Sequence, residues 1–417
     1  MEKQVKIAVL GLGVVASGLV ENLNAAKEKI KQQTNLTFSI AKVLVRSREN
    51  KEEQAKKHQL TLTTDVNEIL DDPTIDIVVE LIGGTDAAKK WIIKALKQKK
   101  HVVTANKDLI AQFGNELTSI AKQSNVSLFY EASVAGGIPI LHTLNNSFIA
   151  DEITGIKGIL NGTTNFMLTQ MAELGLSYDK ALQTAQAAGF AEANPTNDVD
   201  GWDAAYKLMI LVRLAFAKDL ALKDIKIVGI QSITQKDNDY AQKLGYQIKL
   251  LAQVKKIEEH LYAEVAPVLL SNTHPLAVVK NEMNGILIES KAMGTSMFYG
   301  PGAGASPTAQ SVLADILAIA QNMTNKQPVP QMSVSNLPNC EIHEEVVSDY
   351  YFLLSDCTVD LANFLEKQEV KTLSLSQTDL IEAAFVAKQL TIKQKDWLIE
   401  QLQQVSHIKQ ILSVVEE

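Results

Sequence analysis

The chain has 417 residues, 46% of them hydrophobic and 21% charged, with a formal net charge of −8. That length suits two or three domains, and the acidic balance disfavours a general nucleic-acid or anionic-membrane surface. Two cysteines make no disulfide framework, and the seven scattered histidines form no pair at ligand spacing, so a reducing cytoplasm fits and a transition-metal site does not.

The first apolar strand begins at about residue 5, leaving no room for a signal peptide. The longest apolar run, residues 208–216, is interrupted by Arg213 and is too short to span a bilayer. The opening strand ends in Gly11-Leu12-Gly13-Val14-Val15-Ala16, followed by a helical pattern. This is the G-x-G-x-x-A dinucleotide fingerprint in strand–turn–helix context. Gly11 permits the tight turn, and Gly13 lets the backbone approach a pyrophosphate. Ala16 and Gly18 hold the helix close to the sheet, and amides at the helix start face the phosphates. The second strand ends without an acid to bind a ribose 2′-hydroxyl. Arg46 and Arg48 stand there instead, which suits the 2′-phosphate of NADP or an exposed basic loop.

A buried-strand run, IDIVVELI, closes on Gly83-Gly84, and a helix then leads to the strand HVVTANK. The βαβαβ alternation predicts an open parallel sheet with ligands at the carboxyl ends of its strands, where Thr85, Asn106 and Lys107 fall. Lys107 suits a substrate carboxylate or a polarised carbonyl, and equally a solvated loop. After the strand SLFY come Glu131, Gly136-Gly137 and Pro139, a constrained backbone whose inward carbonyls would suit a hard cation.

A strand ending at Asn161-Gly162-Thr163-Thr164 runs into a helix for which Thr163 or Thr164 is the expected cap; the Gly162 and Thr163 amides are candidate substrate contacts. The stretch GFAEANPTNDVDGWDAAYK then gathers Glu192, Asp198, Asp200 and Asp203 ahead of Lys207. Asp203 and Lys207 are four apart and share a helix face, either as a surface ion pair or as part of a pocket that holds an ammonium group and moves a proton. Residues 260–300 are strand-rich and suit subunit contacts. The glycines at 300, 302 and 304 precede Pro307 and a strong helix, and the Gly302–Gly304 turn is a candidate cofactor contact. KQPVPQ marks a linker, and residues 340–417 run strand, helix, strand, strand, helix, strand, the ferredoxin-like order.

The fold class expected is α/β: a Rossmann-like nucleotide-binding domain (1–133, completed by a helix near 307–325), an α+β catalytic and oligomerisation domain (134–306), a linker (326–339) and a ferredoxin-like domain (340–417). Aldehyde-to-acid oxidation commonly needs a thiol nucleophile, and both cysteines, Cys340 and Cys357, lie in or beside the tail. Carbonyl–alcohol hydride transfer needs only orientation and a proton donor, a role open to Lys207. The surplus acids suit a substrate ammonium and Lys107 its carboxylate, so an amino acid with a side-chain aldehyde or alcohol is expected.

The segments GLGVVASGLV, ELIGG, VVTANKDLIA, YEASVAGGIPI, GILNGTTNFML, AQAAGFAEANPTNDVDGWDAAYKLMIL and GAGASPTAQSVLADI together resemble homoserine dehydrogenase over about residues 5–325. The resemblance implies NAD(P)-linked interconversion of L-aspartate 4-semialdehyde and L-homoserine, on the route to threonine and methionine. It implies Lys207 as proton donor or acceptor, with Asp203 and Lys107 beside it. Glu192, Asp198, Gly162, Thr163 and Phe190 would surround the substrate; Phe190 stands where a tyrosine is common. Gly11, Leu12, Gly13, Val14, Val15, Arg46, Thr85, Lys107 and Gly304 would hold the cofactor, NADP or NAD. A sodium ion would sit on backbone carbonyls of Glu131, Val134, Gly136 and Ile138. The resemblance also implies a cytoplasmic homodimer or homotetramer with no nucleic-acid or membrane partner. The tail is similar to an ACT domain, an amino-acid-sensing module, but SDCTVDLANFL lacks the usual Pro-Gly before the helix. Threonine feedback and a purely oligomerising tail both stay open. The competing reading is a non-catalytic nucleotide- or amino-acid-sensing regulator.

Overall fold

The computed structural model describes residues 3–49, 51–258, 260–325, 347–378 and 382–416. The proline-bearing linker expected at 326–339, and Cys340, lie outside the described residues. The chain divides into two compact units, one of residues 1–152, 206–221 and 300–338, the other of 153–205, 222–299 and 339–417.

The first unit alternates strand and helix. It contains β1 (Lys3–Leu10), α1 (Val14–Thr34), β2 (Leu36–Leu44), α2 (Glu52–His58), β3 (Leu62–Thr63), α3 (Asn67–Leu70), β4 (Ile77–Glu80), α4 (Asp86–Lys97), β5 (His101–Thr104), α5 (Lys107–Ser124), β6 (Leu128–Phe129) and α6 (Ile140–Asn146). The strands pair in parallel in the order β3-β2-β1-β4-β5-β6, the doubly wound arrangement whose ligand crevice opens between β1 and β4. Val5, Ile7, Val9, Ile77, Val79 and Val103 fill the centre of this sheet, buried on both faces as a parallel sheet requires.

The second unit opens with β7 (Ile153–Ile159), α7 (Gly162–Leu174), α8 (Tyr178–Ala187), α9 (Thr196–Val199) and the start of α10 (Trp202–Phe216). The chain goes on through β8 (Lys226–Ile227), α11 (Gln235–Lys243), β9 (Tyr246–Ile257), β10 (His260–Ser271), β11 (Met283–Ser290) and β12 (Gly294–Pro301). Helix α12 (Ala305–Asn325) belongs to the first unit, where it packs along α1. Sequence reasoning gave Gly18 to the helix–sheet contact; its close neighbours are instead Ala305 and Ala309 of α12, because Gly18 lies on the face of α1 turned to that helix.

The tail supplies β13 (Ser348–Ser355), α13 (Leu361–Lys367), β14 (Thr372–Thr378), β15 (Glu382–Leu390), α14 (Ile392–Gln403) and β16 (His407–Val415). Its strands lie in the order β16-β13-β15-β14, the ferredoxin-like pattern, over a core in which Phe352 and Phe385 stack at 5.1 Å. Among the described residues these strands do not form a separate sheet. β16 pairs in parallel with β10 at Val268–Leu270, which makes one ten-stranded sheet with β12-β11-β7-β9-β10 and with β8, which pairs on β10 off that path. No helix among the described residues is long and apolar enough to cross a membrane.

Candidate active site

In the first unit the turn after β1 meets the turn after β4. Gly11 has φ +101°, and a Cβ there would lie 2.9 Å from the Leu81 carbonyl oxygen, so only glycine fits. Gly13 is the N-cap of α1 and brings no side chain to it, and the space where its Cβ would be is open. No acid occupies the first turn of α1. The start of α1 therefore presents amide donors and the positive end of the helix dipole to an anion, the requirement of a pyrophosphate. Leu12 is buried beneath the turn, while Val14 is exposed and Val15 half-buried. Arg46 is exposed just past β2.

A buried acid that sequence reasoning missed shapes the β4 turn. Glu80 is fully buried and accepts the Thr104 hydroxyl at 2.6 Å and the Ile82 amide at 2.8 Å. Burial raises its pKa, and these hydrogen bonds oppose the rise. Asn106 grips the same turn from the other side: its side-chain amide donates to the Gly84 carbonyl at 2.6 Å. The Asn106 amide in turn donates to Thr104 Oγ, and its side-chain oxygen caps α5 by accepting from Leu109. Thr85 is the N-cap of α4 and Lys107 the first residue of α5, half-buried with its ammonium 3.8 Å from Asp108. Glu80 thus ties the glycine turn and the start of the Lys107 helix to one buried carboxylate.

The segment from Glu131 to His142 is pinned by a second buried cluster. The Glu131 carboxylate accepts the Leu141 and His142 amides at 2.8 and 2.6 Å, doing for α6 what its N-cap, Pro139, cannot. Asp315 on α12 accepts the Glu131 amide at 2.9 Å and pairs with His142 Nε2 at 2.7 Å. Burial, then the adjacent Asp315 carboxylate, push the Glu131 carboxyl up to about 7, while the Asp315 hydrogen bond raises the His142 pKa. Of the carbonyls expected to hold a cation, that of Glu131 accepts the Val134 amide, that of Gly136 the Ser311 hydroxyl at 2.6 Å, and that of Ile138 the Ile140 amide. Gly136 lies against Gly302, and Gly304, at φ +123°, accepts from Thr308 at the start of α12.

In the second unit the organising residue is Asn161. It is 5% exposed and sits between β7 and α7. Its side-chain amide donates to Asp198 Oδ1 at 2.7 Å and to Asp203 Oδ2 at 2.8 Å, and its side-chain oxygen accepts the Thr164 amide at 2.8 Å. Asn161, not Thr163 or Thr164, caps α7, since it holds the extended backbone of an N-cap at φ −122°, ψ 113°. Thr163 is free of that duty and donates its hydroxyl to the Phe190 carbonyl at 2.5 Å. Phe190 leans on Phe166, ring centroids 4.9 Å apart. Gly162 is held against the Glu282 backbone, and the Glu192 side chain is exposed. Two carboxylates separated by five residues on different elements are thus gathered on one amide, an arrangement suited to a cation.

Asp203 is buried in the first turn of α10, and Lys207 follows one turn later, half-buried.

The family model described as "Homoserine dehydrogenase, NAD binding domain" matches residues 11–131, and "Homoserine dehydrogenase" matches residues 139–317. A homoserine dehydrogenase of Lactococcus lactis is 44% identical over 377 residues, covering 89% of this chain and 88% of that protein. This chain belongs to the homoserine dehydrogenase family. It is an NAD(P)-dependent oxidoreductase. The Bacillus subtilis homoserine dehydrogenase is 45% identical over 321 residues, 77% of this chain and 74% of that one. The crystal structure of a homoserine dehydrogenase from Thiobacillus denitrificans superposes with a TM-score of 0.92 at 32% identity, covering 99% of both chains. A hyperthermophilic archaeal homoserine dehydrogenase in complex with NADPH matches with a TM-score of 0.67 at 27% identity, over 79% of this chain and all of that one. Nothing in these comparisons supports the non-catalytic regulator reading.

Proposed function

We propose that this homoserine dehydrogenase interconverts L-aspartate 4-semialdehyde and L-homoserine, with Lys207 as the proton donor to the carbonyl oxygen and, in reverse, the acceptor from the alcohol. The observation that carries it is the Asn161 tie, which gathers Asp198 onto Asp203, the acid four residues before Lys207 on α10. Asp198 and Asp203, with Glu192, bind the substrate ammonium, and Lys107 its carboxylate. The Gly162 and Thr163 backbone and Phe190 line the same substrate. Asp203, one turn earlier on the same helix, orients Lys207.

The cofactor, when bound, supplies or accepts the hydride. Gly11 to Val15, Arg46, Thr85, Lys107 and Gly304 hold it; the open space at Gly13 and the uncapped start of α1 fit its pyrophosphate. Arg46, with no acid at the end of β2, favours NADP, as does the archaeal relative seen with NADPH. The carbonyls of Glu131, Val134, Gly136 and Ile138 are hard oxygen donors, and each carbonyl that accepts a protein hydrogen keeps a second lone pair, which fits sodium. The domain limits 1–133, 134–306 and 340–417 are read as nucleotide, catalytic and ACT-type parts of a cytoplasmic homo-oligomer serving threonine and methionine synthesis.

The test is Lys207→Ala in the full chain. Removing a general acid–base group lowers kcat by about 10²–10⁴-fold. NADP affinity by fluorescence titration stays within about twofold. Turnover at the wild-type rate in that variant overturns the assignment.

A further inference from the structure

Arg213 interrupts an apolar helix, and the nucleotide chemistry described above does not use it. It is 3% exposed, on α10, six residues beyond Lys207. Its guanidinium spends its donors on another helix. Nη1 donates to the Ile110 carbonyl at 2.6 Å and Nη2 to the Ala111 carbonyl at 2.8 Å, both on α5, three and four residues beyond Lys107. Nε and Nη2 also reach Asp219 Oδ1 at 2.9 and 2.7 Å. The other oxygen of Asp219 takes the side-chain amide of Asn115, again on α5. The tie is therefore double: one cation on two helix carbonyls, and one carboxylate shared between the cation and the facing helix.

The sequence of α5 is shaped around this contact. Gly114 lies in the middle of the helix, where glycine costs about 1 kcal/mol relative to alanine. A Cβ at Gly114 would overlap Arg213 Nη1, so the glycine makes the space that the guanidinium fills. The carbonyls it binds already accept helical hydrogen bonds, so the arginine is not needed to satisfy α5. A buried guanidinium whose carboxylate partner is nearly half exposed contributes little to stability alone, because the cost of desolvating the cation offsets much of the attraction.

The geometry points to Arg213 as a positioning residue for hydride and proton transfer: it clamps α10 to α5 and so fixes Lys207 relative to Lys107. This rests on the proposed roles of those two lysines. Both lie on the N-terminal side of the clamp on their own helices, Lys207 about 9 Å and Lys107 about 5 Å along the axis at 1.5 Å per residue. A rigid tie that close passes its geometry directly to both ammonium groups. A misplacement of about 1 Å at a reacting group costs about 10²-fold in rate.

The experiment is a double-mutant cycle in the full chain, Arg213→Ala, Gly114→Ala and both together. It measures homoserine oxidation with NADP, NADP binding by fluorescence, and the primary isotope effect with homoserine deuterated at the reacting carbon. Each single variant lowers kcat about 10²-fold with NADP affinity within about twofold, and the isotope effect rises as the chemical step becomes limiting. The double variant is no worse than the poorer single one, because the same tie breaks only once. Arg213→Lys, which keeps the charge and reaches fewer carbonyls, recovers part of the loss. Wild-type kcat and isotope effect with only a lower melting temperature, or multiplying losses in the double variant, overturn the clamp. If Arg213→Ala does not fold, Gly114→Ala decides: it displaces the guanidinium and leaves its charge in place, so wild-type kcat there also overturns it. Full turnover in Lys207→Ala would sink the proposed function instead; lost turnover there with full turnover in Gly114→Ala sinks only the clamp.

Discussion

Replacing Asn161 by serine separates two jobs that one side chain performs. Its oxygen caps α7, and its amide group joins Asp198 to Asp203. Serine is as good an N-cap as asparagine, so the helix start keeps its side-chain acceptor and loses only tenths of a kcal/mol. The two donor bonds at 2.7 and 2.8 Å vanish, and no serine donor replaces both. Hydrogen bonds to charged groups contribute about 1.5–3 kcal/mol each. If one of the two is retained by relaxation or water, the net loss of orientation at the acids is about 2.7 kcal/mol, or 10²-fold in rate. Steady-state assays should therefore find kcat/KM for homoserine down about 10²-fold, with KM for NADP unchanged. Asn161→Ala also removes the cap, a further loss of about 1 kcal/mol, and should melt roughly 1–3 °C earlier than Asn161→Ser. Wild-type kcat/KM for homoserine in the serine variant would refute the idea that Asn161 organises the acids for substrate.

Two further outcomes follow from buried ionisable groups. Glu80→Gln keeps the shape but offers one acceptor where the carboxylate offers two, and it turns an N–H towards the amide of Ile82 or the hydroxyl of Thr104. KM for NADP should rise about tenfold while kcat falls less, and equal losses in both would count against a role in shaping the glycine turn. Lys249, buried on β9, donates to Asn165 Oδ1 at 3.0 Å and to the Val279 carbonyl at 2.6 Å; burial, then repulsion by Lys280, push its pKa down to about 8 from 10.5. The unfolded chain then binds more protons between those two values, so this lysine makes stability rise with pH across that window, by about 3 kcal/mol in total. Guanidinium unfolding at pH 7.5 and 10 should show that rise, and Lys249→Met should remove it; an unchanged slope in the variant would locate the titration elsewhere.

The parts of this molecule that sequence reasoning read well are local. The strand–glycine–helix grammar around Gly11 predicts the first unit, because a parallel strand buried on both faces is one apolar run and its turn demands special backbone angles. The tail's strand and helix order was legible for the same reason. Contacts between distant segments were not. Asp315 lies 184 residues from the Glu131 amide it accepts, and no periodicity links them. Asn161 stood in plain view before Gly-Thr-Thr, and the threonines took the capping role in the reading because all three are competent caps; the backbone angles, absent from sequence, decide between them. Arg213 was noticed only as an interruption of a hydrophobic run. The signal that would have found it is its pairing with Gly114, a helix-breaking residue and a helix-interrupting charge on different elements, each awkward alone.

The parallel rungs between β10 and β16 have a practical bearing on dissecting this enzyme. Residues 413–415 hold Val268, Leu270 and their neighbours by main-chain bonds, and the Glu416 carboxylate accepts from Tyr246 of β9 and Lys388 of β15. A truncation before β13 would strip a partner from β10 and leave raw, sticky amides and carbonyls in the middle of what had been a continuous ribbon. The tail is sewn in and not hung on, so a shortened enzyme that clumps would say nothing about whether the missing module senses an amino acid. Point substitutions on the edge strand β14 interrogate that module without unpicking the seam.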